Sequence, residues 1–298
     1  MNFVSIVVLT YNQENFIARN LRGIFKQKVN FPIQLILSND HSTDATDQVI
    51  KELIKEAPSH IQILYTNHSK NLGSTPNFYD ALKKVTGQYI AFCEGDDYWV
   101  DENKLQQQYD FLENNAEYAM CFHQVKNESS DPNLNNTNFS VIEEKDYTAL
   151  EIYKHWIVHT TSVLIKTEVL ENKIVKSMYK HPELLYFDTV LYMSASLHGK
   201  IRGFSKIMSV YTRHEAGLSN GINYSRDLMH NMLDEFIANL YGGKIKETSN
   251  WLIFSRSRIA FVKLLRKGNM FLAFKHLKWI LKKRVNLKIY ILKKLKSK

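Results

Sequence analysis

The 298-residue chain holds only two cysteines, Cys93 and Cys121. Two thiols build neither a disulfide framework nor a zinc-ligand pattern, and they suit a reducing compartment. No window approaches about 18 consecutive apolar residues, so no segment reads as a transmembrane helix. The opening MNFVSIVVLTYN is apolar but lacks a basic n-region and a small-residue cleavage site. It reads as a first strand rather than a signal peptide. The pattern G-x-x-x-x-G-K-[ST] is missing, which excludes a P-loop enzyme. No Gly-rich phosphate loop stands near the N-terminus, as a nucleotidyltransferase would need, and there is no fixed-period repeat or clean linker.

Acidic residues are also missing from one region. Fifteen of the 39 Lys and Arg fall in residues 251–298, which contain no Asp or Glu. The first 250 residues therefore carry 24 basic against 30 acidic side chains, and the net charge of +9 belongs to the tail. A mildly acidic body with a strongly basic end points to an anionic partner for that end. With 44% hydrophobic and 12% aromatic residues, the chain has ample material for a full-sized core.

Strand and helix patterns alternate through the first hundred residues. VSIVVL (4–9) is a continuous apolar run, as expected of a strand covered on both faces. Phe16, Ile17, Leu21, Ile24 and Phe25 then recur at helical spacing. IQLILS (33–38) and IQILYT (61–66) read as strands, with Ser42 and Thr43 as N-caps of the helix between them. Thr75-Pro76 opens a third helix, Gly87 ends it, and QYIAFC (88–93) is a fourth strand. This order predicts a parallel sheet wrapped by helices. Such sheets bind ligands at the carboxyl ends of their strands, and polar clusters follow each one: TYNQEN, NDHSTD, NHSKNLG and EGDD.

Farther along, a helix from Asp101 to about Asn114 and a strand at 118–123 are expected. Residues 126–138 form a polar loop or lid, 160–166 a strand, and a helix spans Pro182 to His198. GFSKIMSVYTRHE reads as strand and loop, and everything from Tyr224 onward is helical.

The EGDD cluster places Glu94, Asp96 and Asp97 within four positions. Like charges so close repel one another. A divalent cation favours hard oxygen donors and would offset the repulsion while stabilising a departing diphosphate. A solvated N-cap cluster would use the same acids.

VSIVVLTYNQENFIARNL, LILSNDHSTDAT, NLGSTPNFYDAL and YIAFCEGDDYW together resemble the nucleotide-binding half of the family 2 glycosyltransferases, which are inverting and use nucleotide-diphospho-sugars. The likeness is strong over residues 3–114 and weaker through YFDTVLY and YTRHEAGLS to about 220. It implies an α/β, GT-A-like, mostly parallel sheet flanked by helices, followed by a basic helical appendage. The implied division is a catalytic domain over 1–222 (nucleotide-sugar binding in 1–114, acceptor side in 115–222) and a C-terminal region over 223–298.

The resemblance also implies roles. Thr10, Tyr11 and Asn12 would line the nucleotide base, with Glu14 nearby. Asp40 would accept a hydrogen bond from a base N–H, beside Asn39 where Asp is commoner. Lys70 would reach the base or a phosphate, and Asn71 and Gly73 would belong to the family's N-x-G loop on the nucleotide-sugar side. Glu94, at a place where the family often has Asp, would meet the donor with Asp96. Asp97, Asp96 and His214 would hold Mn2+ or Mg2+. Asp188 matches the general base, with Glu183 as fallback, and Arg213, Gly217 and Ser219 flank the element of His214. The Gln-x-x-Arg-Trp signature of processive synthases is missing, which favours one sugar per binding event.

The implied partners are a nucleotide-diphosphate sugar, with a UDP-sugar expected, and a glycan or lipid-linked acceptor in bacterial surface polysaccharide or glycolipid assembly. The basic tail would meet an anionic membrane surface, making the enzyme cytoplasmic and peripheral at the inner face of the membrane. A packed helical appendage would carry the same lysines. No recognition motif supports nucleic acid. The rival of another class is a non-catalytic nucleotide-sugar-binding protein of the same fold, favoured by Glu94 and Asn39.

Overall fold

The computed structural model describes residues 3–186, 188–215, 217, 223–288 and 290. The chain forms two compact units, Met1–Lys180 with Asp188–Asn220, and His181–Phe187 with Gly221–Lys298. The expected boundary at 222 and the expected role of Ser219 lie outside the described residues.

The first unit opens as β1 (Val4–Thr10), α1 (Ile17–Phe25), β2 (Ile33–Asn39), α2 (Thr46–Leu53), β3 (Ile61–Asn67), α3 (Ser74–Leu82) and β4 (Tyr89–Phe92). Strands β1 and β2 are buried along almost their whole length, which is why their sequences are continuous rather than alternating. Ile6, Val8, Leu21, Ile24, Leu35, Leu37 and Ile50 share one core between sheet and helices. Each such side chain contributes roughly 1.5–3 kcal/mol by leaving water.

The sheet order places β3-β2-β1-β4 side by side, all parallel. The strands run outward from β1 through β2 to β3, and β4 then returns to the other side of β1. The switch of order therefore lies between β1 and β4. Thr10 is level with Asn39, and Asn39 with Asn67. Beyond the end of β4, Cys93 N–H donates to Val7 O and Gly95 N–H to Leu9 O, so the EGDD loop rises to the same height as Thr10.

The remaining elements are β5 (Tyr98–Trp99), α4 (Lys104–Asn114), β6 (Tyr118–Ser129), α5 (Ala149–His155), β7 (Leu164–Lys166), α6 (Lys173–Met178), α7 (Asp188–Ala195) and β8 (Lys200–Arg213). They extend the sheet in the order β7-β6-β8-β5. β7 is antiparallel to β4 and β6, β8 is parallel to β6, and β5 is antiparallel to β8.

Three expectations change here. The polar segment 126–138 is a strand as far as Ser129, and the rest folds back on it: Asn127 N–H donates to Thr137 O and Phe139 N–H to Val125 O. The strand expected at 160–166 begins only at Leu164, after a 3-10 turn over Thr160–Ser162. The helix expected from Pro182 starts at Asp188, because Tyr186 sits at φ 60° and a left-handed residue cannot continue a right-handed helix. Asp188 therefore heads its helix instead of lying within it.

The second unit contains α8 (Tyr224–Tyr241), α9 (Gly243–Arg266) and α10 (Met270–Lys282). Asn223 caps α8 by accepting from Ser225 and Arg226 N–H. Gly268, at φ 72°, makes the turn into α10, where Asn269 accepts from Leu272 N–H. Arg256 joins α9 to α8 through Asn231 and Asp234, each at 2.8 Å. No helix among the described residues is long and apolar enough to cross a membrane.

Candidate active site

The loops that follow β1, β2 and β3 are sewn together by their polar side chains. Asn12 adopts φ 53°, and its Oδ1 accepts from Thr43 N–H at 2.8 Å while its own N–H donates to Ser42 Oγ. Glu14 Oε2 accepts from Ala45 N–H at 2.7 Å. Asp44, rather than Ser42 or Thr43, accepts from Thr46 N–H at the head of α2. Both oxygens of the buried Asp40 carboxylate accept backbone N–H groups, of Leu72 at 2.7 Å and Gly73 at 2.9 Å. Asn71 Nδ2 donates to Asp40 O, and Gly73 takes φ 88° to complete the turn. Asn39 is fully buried, accepting from Ser42 and donating to Tyr65. These loops leave Tyr11 46% exposed at their rim and Lys70 in solvent.

The acidic loop is fastened to the same tips. Asn20, buried on α1, donates to Glu94 O at 2.7 Å and to Asp97 O at 2.9 Å. Gly95 is needed for close approach. A Cβ there would lie 2.3 Å from Gln13 Oε1 and 2.9 Å from Thr10 Oγ1. The acids thus sit at the mouth formed by β1 and β4, at the switch point where open α/β sheets bind ligands.

Each acid has its own surroundings. Asp97 is buried; its Oδ1 accepts from Thr212 N–H at 3.0 Å, and its Oδ2 lies 3.7 Å from His159 Nδ1. Burial, with the charges of Asp96 and Glu94, raises its carboxyl well above the ordinary carboxylate range despite that hydrogen bond. Asp96 pairs with His214 Nε2 at 2.9 Å, and this bond raises the imidazole above its usual value. His214 also stacks on Phe16 at 4.5 Å.

Glu94 as a residue is half-buried, yet its Oε2 is shut off from solvent and no protein group satisfies it. Burial, then the charges of Asp96 and Asp188, push its carboxyl up to about 8. Asp188 opens α7 with Thr160 Oγ1 donating to its Oδ2 at 3.4 Å. Burial raises it to about 6, opposed by hydrogen bonds from its own helix turn and Thr160.

One member was missed in the sequence. His159 closes a group with Glu94 and Asp97 whose ligating atoms all lie within 4.8 Å of one another. Burial holds its imidazole down to about 3, so it is neutral and able to offer a lone pair. Its ring packs on Tyr211 and Phe139. No local pattern marks it, because it reaches the acids only through the insertion of β7 between β4 and β6. The two carboxylates suit Mn2+ or Mg2+ in donor type, and the imidazole nitrogen favours the softer Mn2+ of the two. The orphaned Glu94 oxygen is the strongest sign of a missing positive partner. Fold and linkage thus bring Thr10, Asn12, Glu14, Asp40, Asn71, Glu94, Asp96, Asp97, Asp188 and His214 to one cleft edge, while Tyr11 and Lys70 remain at its exposed border.

Residues 5–172 match the family model described as Glycosyl transferase family 2. An uncharacterized protein of Mycobacterium tuberculosis is 30% identical over 215 residues, 72% of this chain and 60% of that one. The chain thus spans less than two thirds of that relative's length. The UDP-Glc:alpha-D-GlcNAc-diphosphoundecaprenol beta-1,3-glucosyltransferase WfaP of Escherichia coli is 35% identical over 113 residues, 38% of this chain and 42% of that protein. Among solved structures, Staphylococcus aureus TarS 1–349 in complex with UDP-GlcNAc superimposes with a TM-score of 0.64 at 20% identity, covering 86% of this chain and 71% of that one. That likeness concerns the fold, which is GT-A-like as the sequence led us to expect. With more than half of its residues inside the family match, the chain belongs to glycosyl transferase family 2.

Proposed function

We propose that the protein is an inverting, metal-dependent glycosyltransferase that moves a sugar from a UDP-sugar to a hydroxyl of a lipid-linked glycan in bacterial surface polysaccharide assembly. The observation that carries this reading is the grouping of Glu94, Asp97 and His159 at the end of β4, with the carboxyl of Asp188 close enough to perturb Glu94. UDP-sugars are the donors named for WfaP and for the TarS complex, and a diphosphoundecaprenol-linked sugar is the acceptor named for WfaP.

The β1, β2 and β3 loops would hold the nucleotide, with Tyr11 free to stack on the base and Asp40 fixing the wall beneath it. Asp96 and Asp97 would hold Mn2+ or Mg2+, with Glu94, His159 and His214 as the remaining donors within the cleft. Such an ion supplies Lewis-acid stabilisation of charge on a leaving diphosphate. Asp188, at about 6, is ionised at neutral pH and still basic enough to take the acceptor's proton as the new bond forms. Thr160 orients that carboxylate. A binding-only protein would have no use for a base so placed.

Asp188→Asn tests the assignment. Transfer should fall about 10²–10⁴-fold while UDP-sugar affinity stays near wild type. Retained transfer with retained binding would remove Asp188 from the mechanism.

A further inference from the structure

Helix α10 has two unlike faces. Ala273, His276 and Ile280 are buried within the second unit. Another side carries Met270, Phe274 and Leu281, which fall within about 40° of one another at helical spacing, with Phe271 at the border and Val285 just past the helix end. All five are exposed, Phe271 by 75% and Phe274 by 60%. Solvent-facing aromatic and aliphatic rows of this length are not what a solvated helix face needs.

The border of that stripe is cationic. Lys275 and Lys278 run along one side of it and Arg284 follows the helix end, all exposed. None of the three is in an ion pair among the described residues, in contrast to Lys282 and Lys283, which share Glu235. Lys275 Nζ lies 4.4 Å from the centroid of the Phe271 ring, so its stem already follows the apolar face while its charge sits at the edge. The sequence from 251 onward contains no acid that would repel an anionic surface.

We infer that α10 and the residues just after it lie in the plane of an anionic phospholipid bilayer, with Met270, Phe271, Phe274, Leu281 and Val285 inserted below the phosphates and Lys275, Lys278 and Arg284 among the headgroups. This rests on the reading of a lipid-linked acceptor and adds the element that meets the membrane. A protein partner would leave the unpaired cations without a role, and nucleic acid would leave the apolar row without one. A bilayer interface uses both at once.

The test uses the full chain and vesicles of phosphatidylcholine with or without phosphatidylglycerol, at low and high salt. Wild type should sediment with the anionic vesicles and keep a salt-resistant fraction. Phe271→Ser/Phe274→Ser should bind at least about tenfold more weakly and lose that fraction, since two buried aromatic rings are removed. Both positions are exposed, so helicity and melting temperature should not change. As a second readout, Phe274→Trp should be quenched by bromolipids. If the double variant binds like wild type and all binding vanishes at high salt, the helix is adsorbed and not inserted, and the inference fails. If wild type ignores both vesicles yet still transfers sugar to a soluble acceptor, the inference fails while the transferase reading stands.

Discussion

Replacing Glu94 with Gln should stabilise the ion-free protein while impairing its chemistry. The Glu94 carboxyl rises from an ordinary 4.5 to about 8 because it is buried beside Asp96 and Asp188. A carboxyl with a folded pKa above its unfolded one favours the native state at low pH. That favour is lost as pH climbs from about 4.5 towards about 8. At pH 7 the loss is of order 1.36 kcal/mol for each of roughly 2.5 units, about 3 kcal/mol at most. Glutamine keeps a neutral head of the same shape and escapes it. At about 2–4 °C per kcal/mol for a unit of this size, the variant should melt roughly 5–10 °C above wild type near pH 8 in chelator, and nearly level with it at pH 4. Because the Glu94 charge also helps to raise Asp97, the difference between the two melting curves reports Glu94 together with its coupling to Asp97. Added Mn2+ should raise wild type more than the variant, and sugar transfer should fall in the variant. Parallel melting curves across pH, or a variant that melts below wild type at pH 8, would refute the electrostatic account of the cluster.

The kcat profile should have an acid limb near pH 6, set by Asp188. Thr160→Val removes the hydroxyl that favours the ionised carboxylate, so the limb should move to higher pH in a pH–rate series. Gly95→Ala should press a methyl against Gln13 and Thr10, costing about 1–3 kcal/mol in stability and more than about tenfold in UDP affinity by calorimetry. UDP should bind poorly in chelator and gain affinity on addition of Mn2+ or Mg2+. Equal affinity with and without the cation would show that the acids do not act through an ion.

The first four strands and their polar tips were legible because buried parallel strands announce themselves as unbroken apolar runs. The parallel register then forces successive tips to one height. The second half was less legible for nameable reasons. β6 is buried without a break over Ala119–His123 and alternates only from Gln124 to Glu128, where one inward position is Asn127, a buried amide satisfied by Thr137 and Arg213. A polar residue on the inner face hides the period of two that would have marked the strand. His159 and Thr160 reach the acids through a 3-10 turn whose place depends on β7 pairing with both β4 and β6. Nothing local encodes that pairing. The start of α7 turned on the backbone of Tyr186, which no helix propensity would reveal.

The charge balance around the acids favours the external cation proposed above. The cationic side chains around the site make their direct bonds elsewhere, although the charge of Arg19 acts on Asp97. Arg19 pairs with Glu128 at 2.7 Å and lies over the Tyr98 ring. Arg213 donates to Asn127 and packs on Tyr211. Lys104 is fully buried, with its ammonium 4.0 Å from the centre of the Trp99 ring and bonded to Gln108, and burial brings it down to about 7. Moving any one of them onto Glu94 or Asp97 would have relieved the repulsion within the fold, as buried carboxylates elsewhere are relieved. Asp96 pairs with His214, whose imidazole titrates, and Asp97 faces His159, which burial holds neutral. A diphosphate brings further negative charge to this place, so it deepens the deficit that the protein leaves. A divalent cation entering with the nucleotide, as proposed above, would offset that deficit.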